Sequence, residues 1–190
     1  TSGGTMLKNL NKNTLKIFGP PGTGKTKTLL DIIERELQDN CTPEDVGFFT
    51  FTRKARLEAI TRVTKLLKVD AKKFEYFSDN PYIRLVDLAR QRMQDLKTFH
   101  KVSRSLDGGY LTLQFIADTL KKYKDRNQVF DFTDSIEKIV YEDVHIPKLK
   151  VVIVDEAQDL TRLQWAMILK FINQAERVYI AGDDDQEIFD

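Results

Sequence analysis

Eight residues, Gly19-Pro20-Pro21-Gly22-Thr23-Gly24-Lys25-Thr26, constrain this chain more than any other part of it. They satisfy every fixed position of the pattern Gly-x-x-x-x-Gly-Lys-Ser/Thr, the P-loop. Their flanks give the pattern its meaning. Leu15 to Phe18 is a short apolar run closed by the Gly/Pro cluster, and it predicts a buried strand. Thr26 to Gln38 spaces Leu29, Leu30, Ile32, Ile33 and Leu37 as a helix does. In such a strand–loop–helix, glycines let the backbone close around phosphates with its N–H groups pointing inward. The helix aims its positive end at the same point. Lys25 then reaches the outer phosphates and the Thr26 hydroxyl holds Mg²⁺. A chance Gly/Pro-rich turn is the bland alternative, and the predicted strand and helix on either side argue against it.

The same rhythm continues along the chain. Val46 to Phe51 predicts a second strand, Lys150 to Val154 a third and Val178 to Ala181 a fourth, with helices over Lys54 to Leu67 and Leu163 to Ile172. Alternating strands and helices, with strands apolar on both faces, predict an α/β fold around a parallel sheet. About eighty residues between the second and third strands break this rhythm. Residues 81 to 97 and 111 to 123 read as helices separated by the turn Asp107-Gly108-Gly109, and another helix starts near Thr133. The predicted organisation is an α/β domain from residues 1–68 and 147–190, interrupted by a helical insertion over residues 69–146.

Composition narrows the function classes. Thirty Lys/Arg against twenty-nine Asp/Glu leave a net charge of +1, so attraction to nucleic acid has to come from local patches. One such patch exists: residues 53 to 73 hold eight Lys/Arg against Glu58 and Asp70. The single Cys41 forms no internal disulfide, which favours a reducing, cytoplasmic setting. No apolar run approaches the roughly 20 residues that span a bilayer.

Val151-Val152-Ile153-Val154-Asp155-Glu156 is an apolar strand ending in two carboxylates. Side chains at the carboxyl end of a parallel strand face the ligand crevice. Asp155 is placed to hold Mg²⁺ and Glu156 to orient and deprotonate an attacking water; a solvated acidic turn is the alternative. The longer stretch Val154-Asp155-Glu156-Ala157-Gln158-Asp159 resembles the DExQD signature of superfamily 1 helicases of the UvrD/Rep type. Thr50-Phe51-Thr52-Arg53-Lys54-Ala55 is similar to that family's TFTxKA segment, Asp131-Phe132-Thr133-Asp134 to its DFxD stretch, and Ala181-Gly182-Asp183-Asp184-Asp185-Gln186-Glu187-Ile188-Phe189 to its GDxxQxI-aromatic segment. All four stand in the family's order. The resemblance implies a RecA-like P-loop NTPase fold, the cofactors ATP and Mg²⁺, and single-stranded DNA as partner. It implies that Gln158 and Gln186 couple the γ-phosphate to domain movement, that Gln186 helps position water, and that Lys27 lies near the base. It also implies that Phe51 and Thr52 touch the DNA strand and, through the family, 3′-to-5′ movement. The neighbouring Arg53 and Lys54 open the basic patch, which suits phosphates as the aromatic suits base stacking. A solvated basic helix with Phe51 in the core is the competing reading.

Departures from the family pattern are specific. The upstream glutamine segment that reads adenine is not found, and the Thr-x-His-Ser segment is not in its usual place, with Thr98-Phe99-His100 similar but late. Nothing resembles the second RecA-like domain or its arginine finger, so these residues are expected to bind ATP–Mg²⁺ and hydrolyse it very slowly. Two rival readings stay open: a P-loop ATPase of another class, and a nucleotide-binding module without catalysis. Neither calls for Phe51, the basic patch and Glu156 together.

Overall fold

The computed structural model describes residues 13–20, 22–39, 41–51, 80–103 and 109–183. The predicted helix over Lys54 to Leu67, the 68/69 boundary, and Pro21, Thr52, Arg53, Lys54 and Gln186 lie outside these residues. Four strands, β1 (Thr14–Phe18), β2 (Val46–Phe49), β3 (Val151–Val154) and β4 (Arg177–Gly182), form one parallel sheet in the order β1-β4-β3-β2. Parallel pairing demands long crossovers, and the helices supply them. They are α1 (Lys25–Gln38), α2 (Pro81–Gln91), α3 (Leu96–Ser103), α4 (Tyr110–Asn127), α5 (Phe132–Tyr141) and α6 (Arg162–Ile172). The fold is an α/β P-loop NTPase fold of the RecA-like kind.

The described residues separate into two compact units, one drawn from 1–56, 145–160 and 168–190, the other from 57–144 and 161–167. In the first, all four residues of β3 have no solvent exposure. Burying such a side chain is worth about 1.5–3 kcal/mol, so this strand anchors the sheet. Val151 and Ile153 join Leu29, Ile32, Cys41 and Ala181 in one cluster, with Ile17, Ile33 and Val46 packed against it. Helix α1 thus buries Leu29 and Ile32 on the sheet, whereas Leu30 and Leu37 on its other side are exposed. Phe49 and Phe171 stack at a tilt with ring centroids 5.0 Å apart.

The expectation that each strand is apolar on both faces holds for β3 and fails for β1. Leu15 and Phe18 are 53% and 42% exposed. Among the described residues β1 is an edge strand, paired only to β4, and an edge position covers less of its side chains.

The second unit corrects one helix. Residues 81 to 97 form two helices, not one, because Met93 adopts φ 53°. The Met93 N–H reaches the Arg90 carbonyl and the Gln94 N–H the Ala89 carbonyl, at 2.9 and 3.0 Å. This pair of bonds is a Schellman ending, usually built on glycine. Asp95 then starts α3 by accepting from the Thr98 N–H at 2.9 Å. Asn80 caps α2, accepting from Tyr82 N–H at 2.9 Å, with Pro81 in the first helical position. Gly109 opens α4 as its N-cap. Val86, Ala89, Phe99, Leu113 and Ile136 are the buried apolar positions of α2 to α5, and Trp165 is buried in α6.

The Asp131-Phe132-Thr133-Asp134 stretch is a structural device. Asp131 and Asp134 form a reciprocal capping box at the start of α5, at 2.8 and 2.7 Å. Both carboxylates also take Lys124 of α4 and Arg90 of α2, and Glu137 receives two further Arg90 bonds at 3.0 and 2.8 Å. Three helices are pinned at one point. Burial alone would raise the Asp131 carboxyl, but Arg90 and Lys124 outweigh it and hold it below its ordinary value. Burial likewise works against the Arg90 charge, and Glu137, Asp131 and Asp134 more than reverse that. Thr133 Oγ1, buried, donates to Asp87 at 2.7 Å and ties α5 back to α2.

Candidate functional site

Parallel order brings the carboxyl ends of all four strands to one edge of the sheet. Phe18 is level with Gly182, Val154 with Ile180, and Phe49 with Val154. The residues that follow β1, β3 and β4 therefore converge: the glycine loop, Asp155-Glu156 and Asp183. This is the crevice where α/β sheets bind ligands.

The loop after β1 depends on its glycines in two ways. Gly22 and Gly24 both have φ +82°, a region costly for residues with a Cβ. A Cβ on Gly19 would stand 2.9 Å from Thr23 Oγ1, and that hydroxyl instead donates to the Pro20 carbonyl at 2.8 Å, closing the turn. Gly24 is the N-cap of α1 and offers no side-chain cap, and no acidic residue occupies the first turn. A fourteen-residue helix thus presents uncapped N–H groups beside the buried Lys25 ammonium. That combination is chemically suited to an anion such as a nucleotide phosphate.

Lys25 Nζ donates to the Gly19 carbonyl at 2.5 Å, to Pro20 O at 3.2 Å and to the Asp183 carboxylate. Thr26 Oγ1 donates to Asp155 Oδ2 at 3.2 Å, so the two oxygens expected to share a cation are already neighbours. Asp155 is buried, fixed by the bond of its N–H to the Phe49 carbonyl at 2.9 Å. Burial raises its carboxyl above the ordinary value, against the opposing hydrogen bond from Thr26. A carboxylate in this condition gains from a nearby cation. Among the described residues no group of three or more His, Cys, Asp or Glu is arranged to hold a metal. One Thr and one Asp suit Mg²⁺ in particular, since that ion keeps waters and phosphate oxygens in most of its coordination sphere.

Glu156 sits at φ 51°, ψ 49°, the left-handed region that few glutamates adopt. Strained backbone of this kind clusters at functional sites. Its Oε2 accepts from Gln158 Nε2 at 2.7 Å, while Gln158 Oε1 accepts from the Asp183 N–H at 3.2 Å. The structure thus brings together Gly19, Pro20, Gly22, Thr23, Gly24, Lys25, Thr26, Asp155, Glu156 and Gln158. Lys27 is exposed on α1 and half-buried Phe51 follows β2. Sequence reasoning quoted Asp183 only as part of a signature and missed its pairing with Lys25. Its place one residue past β4 meets Lys25 only through the parallel pairing of β4 with β1, which nothing in the sequence signals.

Comparison with known proteins agrees with this geometry. A family model described as an AAA domain matches residues 5–190. The chain is 26% identical over 145 residues to the ATP-dependent DNA helicase PcrA of Bacillus subtilis (strain 168), a match that takes in 70% of this chain and 18% of that protein. It therefore covers less than a fifth of the relative's length. No described helix is long and apolar enough to cross a membrane. With a family model spanning all but its first few residues, the chain belongs to the AAA domain family, as a helicase-like P-loop domain of the UvrD/Rep kind.

Proposed function

We propose that this chain is the ATP-binding motor domain of an ATP-dependent DNA helicase that moves along single-stranded DNA. One observation carries the reading: Lys25, the Thr26–Asp155 pair and the Glu156–Gln158 pair meet at one edge of the sheet. A site for binding alone has no use for a strained glutamate beside the metal carboxylate. Gly19 to Thr26 cradle the phosphates, Lys25 neutralises the outer ones, and Lys27 lies toward the base. Thr26 and Asp155 hold Mg²⁺, which when bound supplies positive charge against the phosphate oxygens. Glu156 accepts the proton of the attacking water. Gln158 orients Glu156 now and, with Gln186, reports the γ-phosphate to the rest of the motor. Phe51 and Thr52, with Arg53 and Lys54, contact the DNA strand. Residues 69–146 form the helical insertion of this motor, and a second RecA-like domain completes it.

The test is binding of a labelled single-stranded oligonucleotide across a salt series, with and without a non-hydrolysable ATP analogue and Mg²⁺. The expected result is binding that weakens with salt, responds to the analogue and falls on Phe51→Ala. Nucleotide binding with no DNA contact in any condition would return the chain to the P-loop ATPases of another class.

A further inference from the structure

The ammonium that defines the phosphate site is already engaged. Lys25 Nζ, on a side chain 9% exposed, makes an ion pair with Asp183, 20% exposed, besides its bonds to two loop carbonyls. Asp183 is not a passing neighbour. It follows Gly182, whose strand position is level with Phe18 at the foot of the glycine loop, and its N–H is held by Gln158 at 3.2 Å. Backbone and strand together present its carboxylate to Lys25 at a set place.

A phosphate entering the loop needs the same ammonium and carries the same sign of charge as Asp183. The two anions compete. We infer that Asp183 is a positioning residue that holds the Lys25 ammonium in the loop and that an incoming phosphate must displace. This rests on the nucleotide-site reading above and adds to it a residue that sets the strength of phosphate binding. Asp183 loosens the grip on phosphate by neutralising Lys25 beforehand, which suits a site that has to release its product.

The sign of this effect sets it apart from a structural role. Loss of a residue that merely shapes the site weakens binding, whereas loss of a competing anion tightens it. Asp183→Asn keeps the shape and the backbone N–H to Gln158 but removes the charge. The experiment is titration with ADP by calorimetry, without and with Mg²⁺, for the unaltered chain, Asp183→Asn and Asp183→Ala, with thermal melts as a check on folding. The expected result is ADP affinity raised about threefold to tenfold in both variants. In a Lys25→Met background the gain from Asp183→Asn should shrink to less than half, because the residue acts through Lys25. Unchanged or weaker ADP binding in a folded Asp183→Asn protein overturns the inference and leaves the nucleotide site standing. So does a full gain that persists without Lys25. Absence of ADP binding in every variant removes the nucleotide site and the inference with it.

Discussion

Among the described residues, the charge cluster of the helical unit and that of the sheet edge treat charge in opposite ways. In the helical unit Arg90 and Lys124 face Asp131, Asp134 and Glu137, and each carboxylate is met by a cation on another helix or one turn away. At the sheet edge Asp155 is buried with a hydroxyl and its own neighbour's N–H as hydrogen-bond partners, and Lys25 acts on it only through space. The carboxyl groups respond accordingly: Asp131 is held below its ordinary value and Asp155 is pushed above. The paired charge around Asp131 serves as scaffold. Charge kept short of a partner serves a ligand, because the missing counter-charge is what the ligand brings.

The largest effect should come from breaking the scaffold. Arg90→Ala leaves three carboxylates around one lysine in a partly buried place. Removing one partner of such a cluster costs about 3–5 kcal/mol, measured as a fall in the denaturant midpoint. Nucleotide affinity is expected to change little as long as the protein is folded. A loss below about 1 kcal/mol would mean the cluster behaves as a surface ion pair.

Next is the mirror experiment on the site. Lys25→Ala should lower ADP affinity by about a hundredfold, equal to roughly 2.7 kcal/mol, while the unfolding midpoint moves much less. Calorimetric titration beside a melt gives both numbers. A protein that loses stability and keeps affinity would invert the contrast between the two regions.

How much of this was readable beforehand depends on whether the cause was local. The loop from Gly19 to Thr26 was legible because backbone approach to phosphate dictates residue type at each fixed position. Strand β3 was legible because burial on both faces leaves four consecutive apolar residues. The break between α2 and α3 was not, since the left-handed residue is Met93 where a glycine would have announced it. The exposure of Leu15 and Phe18 was hidden as well, because a strand's place at a sheet edge is a property of topology. Lys25–Asp183 spans 158 positions. Only the parallel register of β1 and β4 makes those residues neighbours, and no spacing in the sequence encodes it.

Asp155→Asn is the third comparison, and here the two regions should differ in sign. Asparagine keeps the shape and a partner for Thr26 but has no charge to bury. The site should therefore gain about 1 kcal/mol of stability and lose the dependence of nucleotide binding on Mg²⁺. Asp131→Asn should do the reverse and destabilise, since it leaves Arg90 and Lys124 with less compensation. Both melts can be run in one buffer. Loss of stability in Asp155→Asn would show that its carboxylate is structural.

Acid should separate the regions without any substitution, by a smaller margin. Asp131 is held below its ordinary value of 3.8. Its contribution is fully present above that value and disappears as pH falls through the lower folded one. Asp155 is raised above 3.8, so the folded chain takes up its proton before the unfolded chain does. The cost of burying its charge is present above the folded value and is relieved as pH falls through it. Between the two folded values the sheet edge gains while the helical unit still holds its stability. Hydrogen exchange, corrected for intrinsic rates, from about pH 6 downward reads each unit by its own peptides. Protection of β3 should rise relative to α4 as Asp155 takes its proton, and the rise should vanish in Asp155→Asn. If β3 and α4 instead lose protection together from the start, the two charge clusters titrate as one, and the division between scaffold and site does not extend to their protons.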